Sequence, residues 1–125
     1  MNQFDLKNKT AVITGGAQGF GLDIAKKFLS SGSKVFIWDI DEKELLKATK
    51  EVNNSNLNYN IVDVSNFDQV QKAVSEITLK NKIDILINNA GITGPTAELW
   101  NYNVKDWNSI ININLHGTFY CCKSI

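Results

Sequence analysis

Thr14-Gly15-Gly16-Ala17-Gln18-Gly19-Phe20-Gly21 separates a short apolar run from a longer stretch with helical periodicity, and this junction is the strongest indication of the fold. Ala11-Val12-Ile13 before it predicts a strand, and Leu22, Ala25 and Leu29 after it share one face of a predicted helix. At such a junction the glycines at 15, 19 and 21 leave room for a phosphate, and the helix N-terminus attracts an anion. This context predicts a pyrophosphate-binding loop, with an unliganded glycine-rich turn as the alternative.

Strands and helices alternate along the rest of the chain. Further strands are predicted at 34–38, 57–62 and 83–87, and the last is apolar enough to be covered on both faces. Helices with apolar stripes are predicted between them, and a long helix from about Val104 to the end. This β-α-β-α-β-α-β-α order predicts an α/β fold, with a parallel sheet and helices on both of its faces.

Two sequence pairs predict where helices begin. Asp41 with Glu44, and Ser65 with Asp68, have the three-residue spacing of helix-capping pairs. The asparagine-rich stretch 53–56 is expected to end the helix that Asp41 begins. These signals place polar, turn-forming residues just outside the predicted helices.

Length and charge narrow the class of protein. The chain has 125 residues, which is enough for one domain, and we expect that domain to span 1–125. Its thirteen basic residues are all lysines and are balanced by thirteen acidic ones. A chain without net charge is not expected to bind nucleic acid or an anionic membrane.

Three features of the sequence indicate where the protein is located and whether it binds a metal: the N-terminus, the cysteines and the single histidine. Residues 1–10 lack the apolar segment of a signal peptide, and no apolar run reaches the ~18 residues of a membrane helix. Cys121 and Cys122 are adjacent and poorly placed for a disulfide. His116 is the only histidine, which excludes a multi-histidine metal site. We therefore expect a cytoplasmic protein without a metal.

Carboxylates follow the second and third predicted strands. Asp39 lies eighteen residues after Gly21, where a carboxylate can accept hydrogen bonds from the ribose hydroxyls of an adenosine. It would repel a 2′-phosphate, so it favours NAD over NADP. Asp63, followed by Val64, could accept a hydrogen bond from the adenine amino group. The alternatives are a solvated carboxylate for Asp39 and a helix-leading turn for Asp63.

Asn88-Asn89-Ala90-Gly91 follows the fourth predicted strand. Side-chain amides at a strand end can tie neighbouring strands together and line a nucleotide crevice. Gly91 would permit close approach of a cofactor. Without the other motifs, this segment would indicate a turn and nothing more.

Together these motifs resemble the short-chain dehydrogenase/reductase family. They are Thr-Gly-x-x-x-Gly-x-Gly at 14–21, Asp39, Asp63-Val64, Asn88-Asn89-Ala90-Gly91, and Asn112-Ile113-Asn114-Leu115-His116-Gly117. The segment from Gly91 to Trp107 is similar to members labelled 3-oxoacyl-acyl-carrier-protein reductase. The resemblance covers essentially the whole chain.

The resemblance implies a fold, a cofactor and a reaction. It implies a Rossmann-like doubly wound sheet in the order 3-2-1-4, and NAD bound across the carboxyl ends of the strands. The intact enzyme would transfer hydride between NAD and a small alcohol or ketone, as a homo-oligomer. The residues expected to contact the cofactor are Gly15, Gln18, Phe20, Gly21, Asp39, Asp63, Val64, Asn89, Ala90 and Gly91.

Asn114 is the one catalytic residue of the family that maps onto this chain. By resemblance, it distorts its helix and holds a water of a proton relay near the nicotinamide. Considered alone, it is a polar residue on an exposed helix face. The family's Tyr-x-x-x-Lys is absent, because the residues four after Tyr59, Tyr102 and Tyr120 are Asp, Asp and Ser.

The missing Tyr-x-x-x-Lys predicts a truncated chain that is inactive by itself. The fourth strand would then be an unpaired sheet edge prone to aggregation, and the last helix would expose its apolar stripe. Two other functions remain as alternatives. One is a non-catalytic module that binds NAD. The other is a methyltransferase that uses S-adenosylmethionine, although the glycine loop and Asn88-Asn89-Ala90-Gly91 argue against it.

Overall fold

The computed structural model describes residues 3–125, which form alternating strands and helices. The strands are β1 (Thr10–Thr14), β2 (Lys34–Asp39), β3 (Leu57–Ile61) and β4 (Ile85–Ile87). The helices are α1 (Gly19–Ser30), α2 (Glu42–Val52), α3 (Phe67–Thr78), α4 (Val104–Ile111) and α5 (Gly117–Ser124). A short 3-10 turn (Leu99–Asn101) precedes α4, and a π-helical segment (Asn112–His116) joins α4 to α5.

The four strands form one parallel sheet in the order β3-β2-β1-β4. In its register, Ile13 lies between Ile37 of β2 and Ile87 of β4. The carboxyl ends of all the strands therefore meet at one edge of the sheet. This confirms the predicted Rossmann-like α/β fold and its strand order. Among the described residues β4 is an edge strand, paired with β1 alone.

Two hydrophobic layers cover the two faces of the sheet. Because side chains alternate along a strand, Ile13 and Ile37 face one layer while their neighbours Val12 and Trp38 face the other. The first layer packs against α1 and α2, and the second against α3 and Cys121 of α5. Full burial of each large aliphatic side chain contributes about 1.5–3 kcal/mol, so these layers hold the strands in register.

The predicted cap of α2 is confirmed, whereas α3 begins at a different residue from the one predicted. Asp41 caps α2 by accepting a hydrogen bond from the Glu44 N–H at 3.2 Å. The cap of α3 is Asn66, which accepts from the Gln69 N–H at 3.1 Å. Ser65 was the predicted cap, but both its N–H and its hydroxyl donate to Asp63. The Asp63 turn thus shifts the start of α3 by one residue.

The long helix predicted from about Val104 to the end is divided into α4, the π-helical segment and α5. It widens after α4, where the Gly117 N–H donates to the carbonyl oxygen of Asn112, five residues earlier. After this segment α5 approaches the turn that follows β3, because Gly117 has no side chain. A Cβ there would lie 2.7 Å from Cγ2 of Val64. Apolar periodicity alone carried no signal of the widened turn.

Trp38 and Trp107 have different surroundings. Trp38 is fully buried, and its indole N–H donates to the side-chain oxygen of Asn60 on β3 at 3.2 Å. Trp107 on α4 is about half exposed. The burial of Trp38 matters most for the site, because the next residue is Asp39.

Candidate functional site

A cleft of about 340 Å³ opens at the carboxyl edge of the sheet. Eight of the ten residues predicted to contact a cofactor line it, and they follow all four strands: Gly15, Gln18, Asp39, Asp63, Val64, Asn89, Ala90 and Gly91. Phe20, Gly21 and Asn114 are not among its lining residues. The fold thus brings together residues separated by more than seventy positions in the sequence.

The glycine loop leaves the N-terminus of α1 accessible. Gly15 and Gly19 have positive φ angles of 62° and 58°, which side chains rarely tolerate. A Cβ added at Gly19 would meet no atom within 4 Å. No side chain of the described residues caps α1, and its first intrahelical bond runs from Leu22 to Gln18. The preceding N–H groups are therefore available to an anion.

Gly21 allows α1 to pack closely against the glycine loop. It leaves no open space, although this glycine was expected to make room for a phosphate. A Cβ at Gly21 would lie 2.3 Å from the carbonyl oxygen of Gly15 and 2.6 Å from the side-chain nitrogen of Asn89. The helix can therefore approach the end of β1 only with glycine at this position. Phe20, next to it, is 83% exposed at the first turn of α1.

Asp39 is held in place by backbone donors on two sides. Its Oδ2 accepts from the Ala17 N–H of the glycine loop at 3.3 Å, and its Oδ1 accepts from the Asp41 N–H at 3.2 Å. The Gly16 N–H also donates to the carbonyl oxygen of Trp38 at 3.1 Å. Each carboxylate oxygen keeps further acceptor capacity. The side chain is thus oriented toward the cleft while it remains able to bind hydroxyl groups.

Asp63 forms the turn that follows β3. Its Oδ1 accepts from the N–H of Ser65 at 2.9 Å and from the hydroxyl of Ser65 at 2.6 Å, and its own N–H donates to Gln69. Its Oδ2 receives no hydrogen bond from the described residues. The turn predicted as the alternative is therefore present, and it leaves one oxygen available. Val64 is buried beside it.

Thr14 joins the end of β1 to the segment after β4. Its hydroxyl oxygen accepts from the N–H groups of Asn89 and Ala90 at 3.1 and 3.0 Å. The side-chain amide of Asn89 donates back to the carbonyl oxygens of Thr14 and Gly15. Asn89 thus ties the strands together as expected. Asn88 does not take part, because its amide points to the sulfur of Cys122 at 3.4 Å.

Asn114 lies in the π-helical segment and binds the backbone of Ile92 at two points. Its amide donates to the Ile92 carbonyl at 2.8 Å, and its Oδ1 accepts from the Ile92 N–H at 2.9 Å. A Cβ on Gly91 would lie 3.2 Å from that Oδ1. The helix is distorted at the position where distortion was expected, and the side chain fixes the segment after β4.

Sequence reasoning missed several residues of the cleft. Besides the predicted residues, it is lined by Trp38, Ile40, Val62, Ile92 and Ile113. Ile40, which follows Asp39, tells most about the ligand. Its side chain is apolar and 68% exposed, so it offers a surface on which a flat ring can pack. Its position directly after the strand-end carboxylate was the signal that could have found it.

The described residues contain no group of three or more His, Cys, Asp or Glu side chains able to hold a metal ion. In the same part of the chain, no helix is long and apolar enough to cross a membrane. The residues that line the cleft present carboxylates, backbone N–H groups and apolar side chains to a ligand.

Comparison with known proteins agrees with this geometry. The FabG 3-oxoacyl-acyl-carrier-protein reductase of Chlamydia trachomatis is 37% identical over 124 residues, which cover 96% of this chain and 50% of that protein. The 2-dehydro-3-deoxy-L-rhamnonate dehydrogenase (NAD(+)) of a Sphingomonas species is 34% identical over 118 residues, covering 94% and 47%. The chain spans about half the length of the curated relatives it matches.

Solved structures and the family profile give the same result. A short chain dehydrogenase from Bacillus anthracis superposes with a TM-score of 0.90 at 37% identity, over 95% of this chain and 50% of that structure. The profile described as short chain dehydrogenase matches residues 9–125. The chain therefore belongs to the short-chain dehydrogenase family, whose members are oxidoreductases that bind nicotinamide cofactors.

Proposed function

We propose that this chain binds NAD in the cleft at the carboxyl edge of the sheet. It would serve there as the cofactor-binding part of an enzyme that transfers hydride between NAD and an alcohol or ketone. The observation that carries the proposal is that the glycine loop, Asp39 and Asp63 follow three adjacent strands and line one cleft. In open α/β sheets, ligands bind in the crevice at this edge.

The pyrophosphate would lie at the N-terminus of α1. The open space at Gly19 and the uncapped first turn fit an anion, because backbone N–H groups and the helix dipole attract negative charge. Gln18 lines the cleft beside this turn, and Phe20 extends from it. We propose that both contact the cofactor, whereas Gly21 acts by letting α1 approach Gly15.

Asp39 would bind the hydroxyls of the adenosine ribose and exclude a 2′-phosphate. The donors from Ala17 and Asp41 hold its carboxylate in one orientation, which preorganises it for two hydroxyl donors. A negative charge at this point disfavours NADP. The 2-dehydro-3-deoxy-L-rhamnonate dehydrogenase of Sphingomonas, whose name carries NAD(+), supports the same choice.

The adenine would lie between Asp39 and the turn after β3. The free Oδ2 of Asp63 can accept from the adenine amino group, while Val64 and the exposed Ile40 offer apolar surface to the ring. Asn89, Ala90 and Gly91 would border the nicotinamide half of the cleft. When bound, NAD supplies the hydride acceptor, and every residue named here binds or orients it.

Asn114 would be a positioning residue near the nicotinamide. Both polar atoms of its side chain are engaged by Ile92, so that side chain fixes the segment after β4. We propose that the widened helix around Asn114 holds a water of the proton relay, as the family resemblance implies.

The activity of the whole protein is part of the same proposal. Because the chain covers half of its relatives, the substrate, an alcohol or ketone, would be selected by residues that this chain does not contain. We further propose that 1–125 forms one cofactor-binding domain of a cytoplasmic homo-oligomer. The two free cysteines favour a reducing compartment.

A non-catalytic NAD-binding module is the second candidate, because the residues that line the cleft are of the kinds that bind and orient a cofactor. The methyltransferase alternative loses its basis, since the family profile covers residues 9–125.

The proposal is tested by calorimetric titration of the 125-residue chain with NAD, NADP and, as a control ligand, S-adenosylmethionine. NAD should bind more tightly than NADP, and Asp39→Ala should reduce that preference at least tenfold. Asp68→Ala removes a carboxylate from the exposed side of α3 and is the matched control. A folded chain that binds neither nucleotide, or a preference unchanged by Asp39→Ala, would overturn the proposal.

A further inference from the structure

A second, polar pocket of about 440 Å³ lies at the opposite, amino edge of the sheet. Four lysines line it: Lys9 precedes β1, Lys34 begins β2, and Lys80 and Lys82 flank the turn between α3 and β4. They come from three chain segments, and the parallel register brings them together, because Lys34 pairs with Thr10 beside Lys9. The chain has no net charge, so this edge is a local concentration of positive charge.

Asp84, the one carboxylate of the pocket, is engaged by the sheet. Its Oδ2 accepts from the Thr10 N–H at 3.0 Å, and its own N–H donates to the Thr10 carbonyl at 2.9 Å. Lys82 approaches its other oxygen at 3.6 Å. Among the described residues, Lys9, Lys34 and Lys80 form no salt bridge within 4.0 Å, so the positive charge exceeds what Asp84 neutralises.

One lysine is oriented by the pocket itself. The Lys34 ammonium donates to the side-chain oxygen of Asn81 at 3.1 Å, and the Asn81 amide donates to the carbonyl of Ile77 at 3.2 Å. Lys34 is only partly exposed. Positive charges around a concave surface repel one another, and a bound anion offsets that repulsion.

We propose that this pocket is a binding site for a compact polyphosphate anion, separate from the cofactor cleft. Lysine ammonium groups bind phosphate as point charges and need no arginine fork, which this chain cannot provide. Among residues 3–125, no aromatic or large apolar side chain lines the pocket. A nucleotide base would therefore find no stacking surface here, and the concave shape suits a small ion better than an extended acidic peptide.

Tripolyphosphate is the probe, added to the 125-residue chain at pH 7.5 while amide NMR spectra and calorimetry follow binding. The amides around Lys9 and Lys80 should shift. The double variant Lys80→Gln, Lys82→Gln should weaken binding at least tenfold. Lys43→Gln, Lys47→Gln on α2 makes the same charge change away from the pocket and should weaken it less than twofold. Circular dichroism verifies that both variants are folded.

Three results would overturn the proposal. The first is that the folded chain does not bind tripolyphosphate in this pocket, as seen either from no binding at all or from shifts that concentrate at Gly19 on α1. The second is that both double variants lose affinity equally, which would indicate a general charge effect. The third is that a hexaglutamate peptide binds more tightly than tripolyphosphate. None of these depends on NAD binding, so this site and the cofactor cleft are tested separately.

Discussion

The side chain of Asn114 and the backbone of Ile92 are joined by two hydrogen bonds of 2.8 and 2.9 Å, in the manner of neighbouring strands. The two residues are twenty-two positions apart and belong to different elements. Because Ile92 follows Asn89, Ala90 and Gly91, this pair attaches one wall of the cleft to the π-helical segment. The residue that the family resemblance predicts to be catalytic thereby also has a structural task.

Asn114→Ala should loosen the segment after β4. Loss of both bonds should lower the free energy of unfolding by about 1–2 kcal/mol, since the pair is exposed to solvent and each bond has a modest net value. Urea unfolding and hydrogen exchange at the Ile92 amide measure this. Asn112→Ala, whose side chain bonds to His116 within the helix, is the control. Unchanged exchange at Ile92 would contradict the assigned role.

Two glycines of the loop should respond differently to alanine. Gly21→Ala places a Cβ 2.3 Å from a backbone oxygen, so the loop must move, at a cost of about 2–3 kcal/mol. The added methyl group of Gly19→Ala meets open space. Its only cost is that of placing alanine in a left-handed backbone conformation, about 1–2 kcal/mol. Urea unfolding of the two variants compares these costs directly. The packing explanation fails if Gly19→Ala proves the more destabilising change.

Asp84 should make stability depend on pH in the acid range. The pKa of its carboxyl lies below the ordinary 3.8, chiefly because the Thr10 N–H donates to it, with Lys9 and Lys82 nearby adding to the effect. A lowered pKa means that the ionised form stabilises the fold at neutral pH, and that this contribution disappears as the pH falls below about 4.

Asp84→Asn should therefore flatten this dependence. Its free energy of unfolding should fall below that of the unsubstituted chain at pH 6, and the difference should shrink as the pH approaches 3. Urea titrations at several pH values give both curves. Parallel curves for the two chains over this range would show that Asp84 does not contribute in this way.

The adjacent cysteines should differ strongly in reactivity. Burial raises the pKa of the Cys121 thiol to about 11, with a smaller contribution from Cys122. Its thiolate fraction at pH 8 is therefore about a hundredfold below that of a thiol with the ordinary value of 9.0. Cys122 is exposed. Brief treatment with iodoacetamide should label Cys122 alone.

Mass spectrometry of the labelled peptide measures the result, and Cys122→Ser should abolish the rapid labelling. Labelling of Cys121 should begin only when urea unfolds the chain. Equal labelling of both thiols in the folded chain would mean that α5 does not stay packed against the sheet.

The alternation of apolar runs and amphipathic stretches was enough to predict the parallel sheet and its covering helices. It worked because strands buried on both faces and helices buried on one differ in local periodicity. Asp39 and Asp63 were found for a similar reason, since each follows a strand directly. The start of α3 was misplaced, because the competition between Ser65 and Asn66 for the cap depends on the position of Asp63.

Local sequence patterns were enough to predict the fold class, the glycine loop and the carboxylates at the strand ends, because each depends on neighbours within a few residues. Three facts came from the tertiary structure alone. Gly21 lets α1 pack against Gly15, Asn114 binds the backbone of Ile92, and four lysines line one pocket. These facts depend on distances between residues far apart in the chain. Such distances are set by how the layers pack and by the strand register, which no local pattern encodes.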